Sequence, residues 1–451
     1  MLQETRYYRE NLKLALPIIL SLAGQSVVQM IDTIMVGRLG AVELAAVAFA
    51  GTIIMNVMVV GIGISISLTP MTGQAFAKNA FKRAAILFQN SLALNSYTAV
   101  VLVGILFAVL PLLQFLGQPE DVIQISKGYY IFTALSVIPF LIFLSFKQFM
   151  EGIGNTKVAM VITIMCNLVN IILNYAFIYG KLGAPQLGVT GAAVATLIAR
   201  LMMPIAFFLY MYRTYPFKRF FSFFRKKTLS FKTQMNLLKV GSPIAGQMVI
   251  EYLSLSFMVV MMGWVGTVAL AANQIAMSLI SFAFMISNGI AGASTVLVSQ
   301  SVGRRDYGSV RSYAHASFHM SIAFMAVAGI LFAVFGRQIA TLFTSDAEVI
   351  AMAGKIFLVC AVLEVVDGLQ ITALGALRGL MDVNKPMIYA VIAYVFINIP
   401  TSYFLGFVLD MGAIGIILGF SFGLSIACIL FLRRFKQNVD KMEAKQREFL
   451  K

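Results

Sequence analysis

The chain is predicted to be an all-α polytopic membrane protein, with about twelve transmembrane helices in two six-helix, pseudo-symmetric halves around a central cavity. Its composition, its charge placement and an internal repeat predict this. Of 451 residues, 60% are hydrophobic and 12% charged, with a mean hydropathy of +0.89, against ~45–50% apolar and ~25% charged in soluble domains. A water-soluble fold is excluded. Uncharged stretches such as 14–31, 44–77, 84–119, 128–146 and 158–180 are long enough for a ~30 Å hydrocarbon core, which takes ~20 helical residues. They are apolar on every face, unlike the alternating ~10-residue strands of an outer-membrane barrel. The first run lacks a small-residue cleavage motif, is followed directly by another and carries Asp32 at its far end, so it reads as a retained span and not a signal peptide.

Charge and turn signals set the boundaries of each span in order. The first, 14–37, follows Arg6, Arg9 and Lys13, and the second, 46–75, runs to Lys78, Lys82 and Arg83. Spans 86–116 and 128–149 come next, the latter closed by Lys147 and Lys157, then 158–180 and 189–212. Eight basic residues in 213–239 precede 240–264 and 270–300. After Arg304, Arg305 and Arg311 come 312–336 and 352–377; after Arg378 and Lys385 come 386–409 and 413–432, followed by seven basic residues in 433–451. In this arrangement 28 of the 34 Lys and Arg fall on one side. By the positive-inside rule that side, with both termini, is cytoplasmic. The net charge of +16 is thus an orientation signal, and no nucleic-acid partner is expected. Cys166, Cys360 and Cys428 all lie inside apolar runs, where free Cys behaves as a small hydrophobe.

Sliding the chain on itself by 226 positions aligns Pro17 with Pro243, Gly37 with Gly263, Gly40 with Gly266, Gly63 with Gly289, Thr69 with Thr295 and Gln74 with Gln300. Further along, Val122 matches Val349, Asn170 and Tyr175 match Asn398 and Tyr403, and Gly188 and Gly191 match Gly412 and Gly415. The organisation is therefore an N-terminal half at 1–212, a basic cytoplasmic linker at 213–239, a C-terminal half at 240–432 and a basic tail at 433–451. Each half has an even number of spans, so the two copies share one orientation. Secondary transporters built this way place a substrate site at the midplane between the halves and rock them against each other.

Charges at the bilayer centre cost ~2.5–3.5 kcal/mol on insertion scales, so those retained are functional candidates. Asp32, Glu251, Glu364 and Asp367 fall inside spans. Gln25, Gln29, Asp32 and Thr33 share one helix face. Glu251 stands at the repeat position of Gln25, and Glu364, Asp367 and Gln370 are spaced three apart on the tenth helix. Two carboxylates close together in a low dielectric cannot both ionise cheaply, so they hold a proton or share a cation. Arg200 is the one clear basic residue inside a span. It is expected to neutralise a neighbouring acid or support packing. Asn167, Asn170 and Asn174 on the fifth span and Thr196 on the sixth offer oxygen ligands for a proton-linked network or a small hard cation, or simple interhelical hydrogen bonds.

The segment Ile31-Asp32-Thr33-Ile34-Met35-Val36-Gly37-Arg38-Leu39-Gly40, the turn Gly152-Ile153-Gly154-Asn155-Thr156-Lys157, and Val366-Asp367-Gly368-Leu369-Gln370 followed by Gly375-Ala376-Leu377-Arg378-Gly379 resemble the multidrug and toxic compound extrusion (MATE) family, over nearly the whole chain. The NorM-type branch is the most similar, and it carries an acid on the seventh helix and another on the tenth, here Glu251 and Asp367. The resemblance implies cation coupling at Asp32, Glu251 and Asp367, with efflux of cationic drugs driven by inward Na⁺ or H⁺. It also implies an N-half polar network at Asp32, Asn170, Asn174 and Thr196. Members with a cation site there carry Asp at the second helix-five position, where this chain has Asn174. Glu364, Gln25 and Gln370 are auxiliary candidates from spacing alone.

Carboxylates, aromatic faces and repacking Met suit lipophilic cations. Organic cations and other drugs are therefore the expected partners, beside the lipid bilayer, for a monomer in a bacterial inner (plasma) membrane, with no cofactor beyond Na⁺ or H⁺ as coupling ion. The alternative is a flippase for a lipid-linked saccharide or other anionic lipid, which calls for Arg and Lys in the cavity. His315 and His319 stand four apart without an adjoining Glu or third ligand, so they are read as facing a neighbour and not as a zinc site. No Gly-x-x-x-x-Gly-Lys-Ser/Thr loop is present, and the spans lack a nucleophile, base and orienter, so neither an ATP motor nor an enzyme is expected.

Overall fold

The computed structural model describes residues 2–450, with the side chains of 5–448. Met1 and Lys451, the ends of the expected N-terminal half and basic tail, lie outside the described residues. Every regular element among the described residues is helical. Twelve helical segments are long and apolar enough to cross a membrane: α1 (Thr5–Gly37), α2 (Ala41–Ala77), α3 (Phe81–Phe115), α4 (Glu120–Gly152), α5 (Thr156–Tyr179), α6 (Gly188–Arg213), α7 (Phe231–Val265), α8 (Thr267–Arg304), α9 (Tyr307–Ala340), α10 (Ala347–Gly379), α11 (Asn384–Val408) and α12 (Gly412–Glu448). The chain is a multi-pass membrane protein.

The helices outrun the expected spans at the basic-loop ends. At 1.5 Å per residue α8, with 38 residues, is about 57 Å long, well past a bilayer core. The expected tail is helix, because α12 continues beyond 432 and its acids find partners. Arg311 on α9 pairs with Asp440 at 2.6 Å and Glu443 at 3.0 Å, and Arg434 pairs with Asp382 at 2.6 Å. Helix starts are capped where polar residues precede them: the Asn155 side chain accepts from the Val158 amide, and Asp306 from that of Ser309. α5 ends at Gly180, whose φ of 67° lies in the left-handed region that only Gly adopts without cost.

Packing divides the chain into two units, Leu20–Ala245 and Met1–Ile19 with Gly246–Lys451. Each unit switch falls two residues after a proline, Pro17 in α1 or Pro243 in α7. Those prolines are 226 positions apart, and each removes a backbone N–H from its helix. The start of each repeat's first helix is thus built into the unit formed by the rest of the other repeat. The same glycine receives it in both. A Cβ on Gly63 would fall 2.4 Å from the Ala245 Cα, and one on Gly289 would fall 2.2 Å from Ile19 Cγ1. Ala245 and Ile19 are themselves 226 apart.

The N-half unit has an aromatic core at its basic-loop end. Phe88 stacks on Phe149 with centroids 4.4 Å apart, and Phe149 meets Phe220 edge-on at 5.1 Å. Phe220 comes from the 213–239 segment, which folds back on α3: the Asn90 side chain donates to the Thr228 carbonyl at 2.9 Å and accepts from the Ser230 amide at 2.8 Å. In the C-half unit, α1 is fastened to α9 by Asn11, which donates to the Tyr313 carbonyl and accepts from Ser317 Oγ, and by Tyr313 donating to Glu10. His319 accepts or donates a 2.7 Å hydrogen bond with the Tyr8 hydroxyl, in keeping with the neighbour-facing reading.

α11 departs from its repeat partner. It has two wide, π-helical stretches, Val391–Asn398 and Phe404–Val408, flanking the turn that holds Pro400. α5 is regular throughout and has Ile172 at the matching position. A proline interrupts the hydrogen-bond ladder, and wider turns absorb the mismatch.

Candidate functional site

Each unit encloses its own cavity. The N-half cavity, about 230 Å³, is bounded by α1, α2, α4, α5 and α6. The 3–4 spacing of Gln25, Gln29 and Asp32 puts all three on the lining face of α1. Asn174 lies behind them, fully buried, and its amide donates both to Asp32 Oδ1 and, at 3.1 Å, to Asn170 Oδ1. The sequence-predicted N-half residues thus come together: Asp32, Asn170, Thr196 and Gln25 line the cavity, and Asn174 braces the first two. Arg200 lines it too. Its Nη1 donates to Ser136 Oγ at 2.8 Å, and its guanidinium lies 4.7 Å from the centre of the Phe140 ring. Among the described residues no carboxylate comes within 4.0 Å of it. Of the two expected roles, packing is direct, whereas the acid nearest to hand, Asp32, faces Arg200 only across the shared cavity.

The C-half cavity, about 150 Å³, gathers Glu251 from α7, Glu364 and Asp367 from α10, and Tyr394 from the first wide stretch of α11. Met258, Met277, Phe284 and Phe420 supply its apolar wall. No Lys or Arg lines it. Glu364 is 3% exposed, and its Oε2 has no hydrogen-bond donor. Gln370 does not line the cavity; it donates at 3.1 Å to the Tyr394 hydroxyl, and its own Oε1 is unpartnered. Three carboxylates around one small apolar-walled space repel one another strongly unless they take up protons or a cation. Their oxygens are hard ligands suited to Na⁺ as well as to a proton.

Two basic side chains correct the expectation that Arg200 alone sits inside a span. Lys147, placed by sequence in a basic loop, is buried in α4 and lies 3.9 Å from Glu151 one turn on. Arg378 reaches inward from the end of α10. Its Nη2 donates to Gln247 Oε1 at 2.7 Å, and Gln247 Nε2 donates to Glu251 Oε2 at 2.8 Å. Sequence reasoning passed over this relay, although Gln247 precedes Glu251 by one helical turn and Arg378 stands in the quoted Gly-Ala-Leu-Arg-Gly motif. Tyr394 and the Asn398-to-Ser254 bond of 2.9 Å that ties α11 to α7 were likewise invisible, because nothing local marks them.

The chain is similar to known proteins over nearly its whole length. The MatE family model matches residues 17–176 and 243–404, beginning each time at one of the paired prolines. The probable multidrug resistance protein NorM of Rhizobium meliloti is 32% identical over 448 residues, 97% of this chain and 95% of that protein. Its namesake in Bacillus subtilis is 28% identical over 441 residues, 96% of this chain and 98% of that protein. Among solved structures, the Vibrio cholerae MATE transporter VcmN in its bent form superposes with a TM-score of 0.89 at 18% identity, over 98% of this chain and 99% of that one. A MOP superfamily transporter from Pyrococcus furiosus gives 0.86 at 17%, over 97% of each. At such identities the structural likeness is one of fold.

Proposed function

The chain belongs to the MatE family, the multidrug and toxic compound extrusion transporters, and on that premise we propose that it is a secondary antiporter exporting organic, mostly cationic compounds in exchange for Na⁺ or H⁺. The observation that carries the reading is the C-half cavity, with three carboxylates and no basic side chain in its lining. Glu251 and Asp367 bind the coupling ion there, and an organic cation competes for the same negative charge. Glu364 adds to that charge. Phe284, Phe420 and Tyr394 offer ring faces to a cation, and Met258 and Met277 repack around differing shapes. Asp32 is the N-half counterpart, open to the coupling ion or to the charge of a substrate.

The names of the relatives, multidrug resistance proteins of the NorM type, support this reading. A flippase for lipid-linked saccharides or anionic lipids would need cations for the phosphates, and the C-half lining holds none. The excess of Lys and Arg on one set of loops supports cytoplasmic termini, the bacterial relatives support an inner-membrane location, and a cavity in each half of one chain supports function as a monomer.

The test is ethidium efflux from proteoliposomes under an imposed Na⁺ or pH gradient, for the native chain, Glu251→Gln and Asp367→Asn. One gradient should drive efflux, and both substitutions should reduce it to the level of empty vesicles. Normal transport by either variant would remove that residue from the coupling step, and no transport under any gradient would reopen the flippase.

A further inference from the structure

We propose that the 213–232 segment, lying against the start of α3, is a docking surface for anionic phospholipid headgroups, engaged through Arg225, Lys226 and Lys227. The inference is independent of the antiport reading and of both cavities.

The stretch between Glu151 and Glu251 contains no Asp or Glu, yet residues 213–239 hold eight Lys and Arg. Glu151 itself is buried beside Lys147. Arg225, Lys226 and Lys227 are exposed, as are Lys82 and Arg83 at the start of α3. Among the described residues none of these five pairs with a carboxylate. The other unit balances its basic-loop end from within, Arg311 pairing with Asp440 and Glu443 and Arg434 with Asp382. The linker has no such partners, and a basic cluster of this size beside a bilayer attracts anionic lipid.

Placement decides the partner. The Arg219 guanidinium lies 3.9 Å from the centre of the Phe81 ring, at the first residue of α3. Further on, the chain has moved along that helix: the Arg225 carbonyl accepts from Gln89 Nε2 at 3.0 Å, and the Thr228 carbonyl accepts from Asn90. At 1.5 Å per residue, Gln89 is about 12 Å beyond Phe81 along the helix axis, toward the bilayer. The segment therefore runs back to the membrane and not out into water. Phe224 holds it there, tilted against Phe88 with centroids 5.6 Å apart. Tyr215 and Phe231 are left 83% and 75% exposed. Aromatic rings beside bases are the side chains that settle at headgroup level. A nucleic acid or an acidic protein would leave those rings in water, whereas a phospholipid covers them with its acyl boundary and meets the bases with its phosphate.

Phe231 and Trp264 stand at opposite ends of α7, and Trp264 is the chain's single Trp, so one helix can report from both ends. With the full chain in phosphatidylcholine bilayers, quenching of Trp fluorescence by brominated phosphatidylglycerol, set against brominated phosphatidylcholine, reads the relative affinity for the anionic lipid. In the double variant Phe231→Trp, Trp264→Phe, phosphatidylglycerol should bind about fivefold or more tightly, the effect of one engaged base. Trp264 in the native chain should report a ratio near one. Adding Arg225→Gln, Lys226→Gln and Lys227→Gln to the double variant should bring its ratio near one. Lys436→Gln, Lys441→Gln and Lys445→Gln on α12 remove as much charge and should leave it unchanged. Equal binding of the two lipids at the linker end, a preference that survives the linker substitutions, or one lost equally with the α12 substitutions would overturn the surface. The first of these outcomes would leave the bases to an acidic soluble partner.

Discussion

The two cavities occupy the same place in the two repeats, and their charges have been dealt out differently. With the offsets of 226 for the first helices, 227 for α4 and α10, and 224 for α6 and α12, Gln25 corresponds to Glu251, Asp32 to Met258, Phe140 to Asp367, Thr196 to Phe420 and Arg200 to Leu424. All ten residues line a cavity. The packing residues diverged less. Gly63 and Gly289 play one role, and so do Gly152 and Gly379, whose added Cβ atoms would fall 2.8 and 2.9 Å from the carbonyls of Thr69 and Thr295. Close backbone contact tolerates only Gly, whereas a cavity wall accepts any side chain of suitable volume. Duplication thus preserved the helix crossings and freed the lining for two chemistries, one balanced in charge and one purely acidic.

Three sets of substitutions test how far that comparison holds. The largest effect is expected at Lys147, whose buried pairing with Glu151 belongs to the N half alone, since Leu374 stands at the matching position. Lys147→Met leaves a buried carboxylate unpaired and should cost about 3–5 kcal/mol. Thermal unfolding of the purified protein measures it, and the double variant Lys147→Met, Glu151→Gln should recover most of the loss.

A middle-sized effect probes what the repeats share. Gly63→Ala and Gly289→Ala each force a Cβ into a contact of 2.4 or 2.2 Å, and overpacking of this kind costs about 1–3 kcal/mol. Gly63, whose closest contact is the Ala245 backbone at 2.4 Å, should lose more than Gly289, whose closest contact is the Ile19 side chain and whose nearest backbone atom is 3.0 Å away. A melting curve indistinguishable from native for Gly63→Ala would break the claimed equivalence.

The smallest effect concerns the relay to Glu251. Gln247→Met removes both the donor to Glu251 and the acceptor for Arg378, and a hydrogen bond to a charged group is worth about 1.5–3 kcal/mol. Efflux rate should fall roughly tenfold. Ser21 sits at the equivalent point of the first repeat, and its hydroxyl makes no hydrogen bond. Ser21→Ala should transport at the native rate; a matching loss there would mean that Gln247 serves only packing.

Much of this is legible in the sequence. Helical spans follow from the length of uncharged runs, and the repeat from identities such as Pro17 with Pro243. Asp32, Glu251, Glu364 and Asp367 stood out because charge is costly in lipid and its retention is visible residue by residue. Asn170 and Asn174 could be paired from their spacing. The relay through Gln247 was harder: Arg378 looked like one more basic loop residue, since a long flexible side chain can reach inward from a helix end. Lys147 was hidden in the same way.

By itself the sequence determined the all-helical membrane class, the twelve apolar segments, the duplication and the acids that a bilayer makes conspicuous, because each depends on local composition or fixed spacing. Only the tertiary structure decided that Glu251, Glu364, Asp367 and Tyr394 share one cavity, that Arg200 faces the space of Asp32 without pairing with it, and that each repeat's first helix starts in the other's unit. Those facts depend on which helices pack together, and side chains more than a hundred residues apart meet only when helix crossings, set by glycines such as Gly63 and Gly289, bring them there.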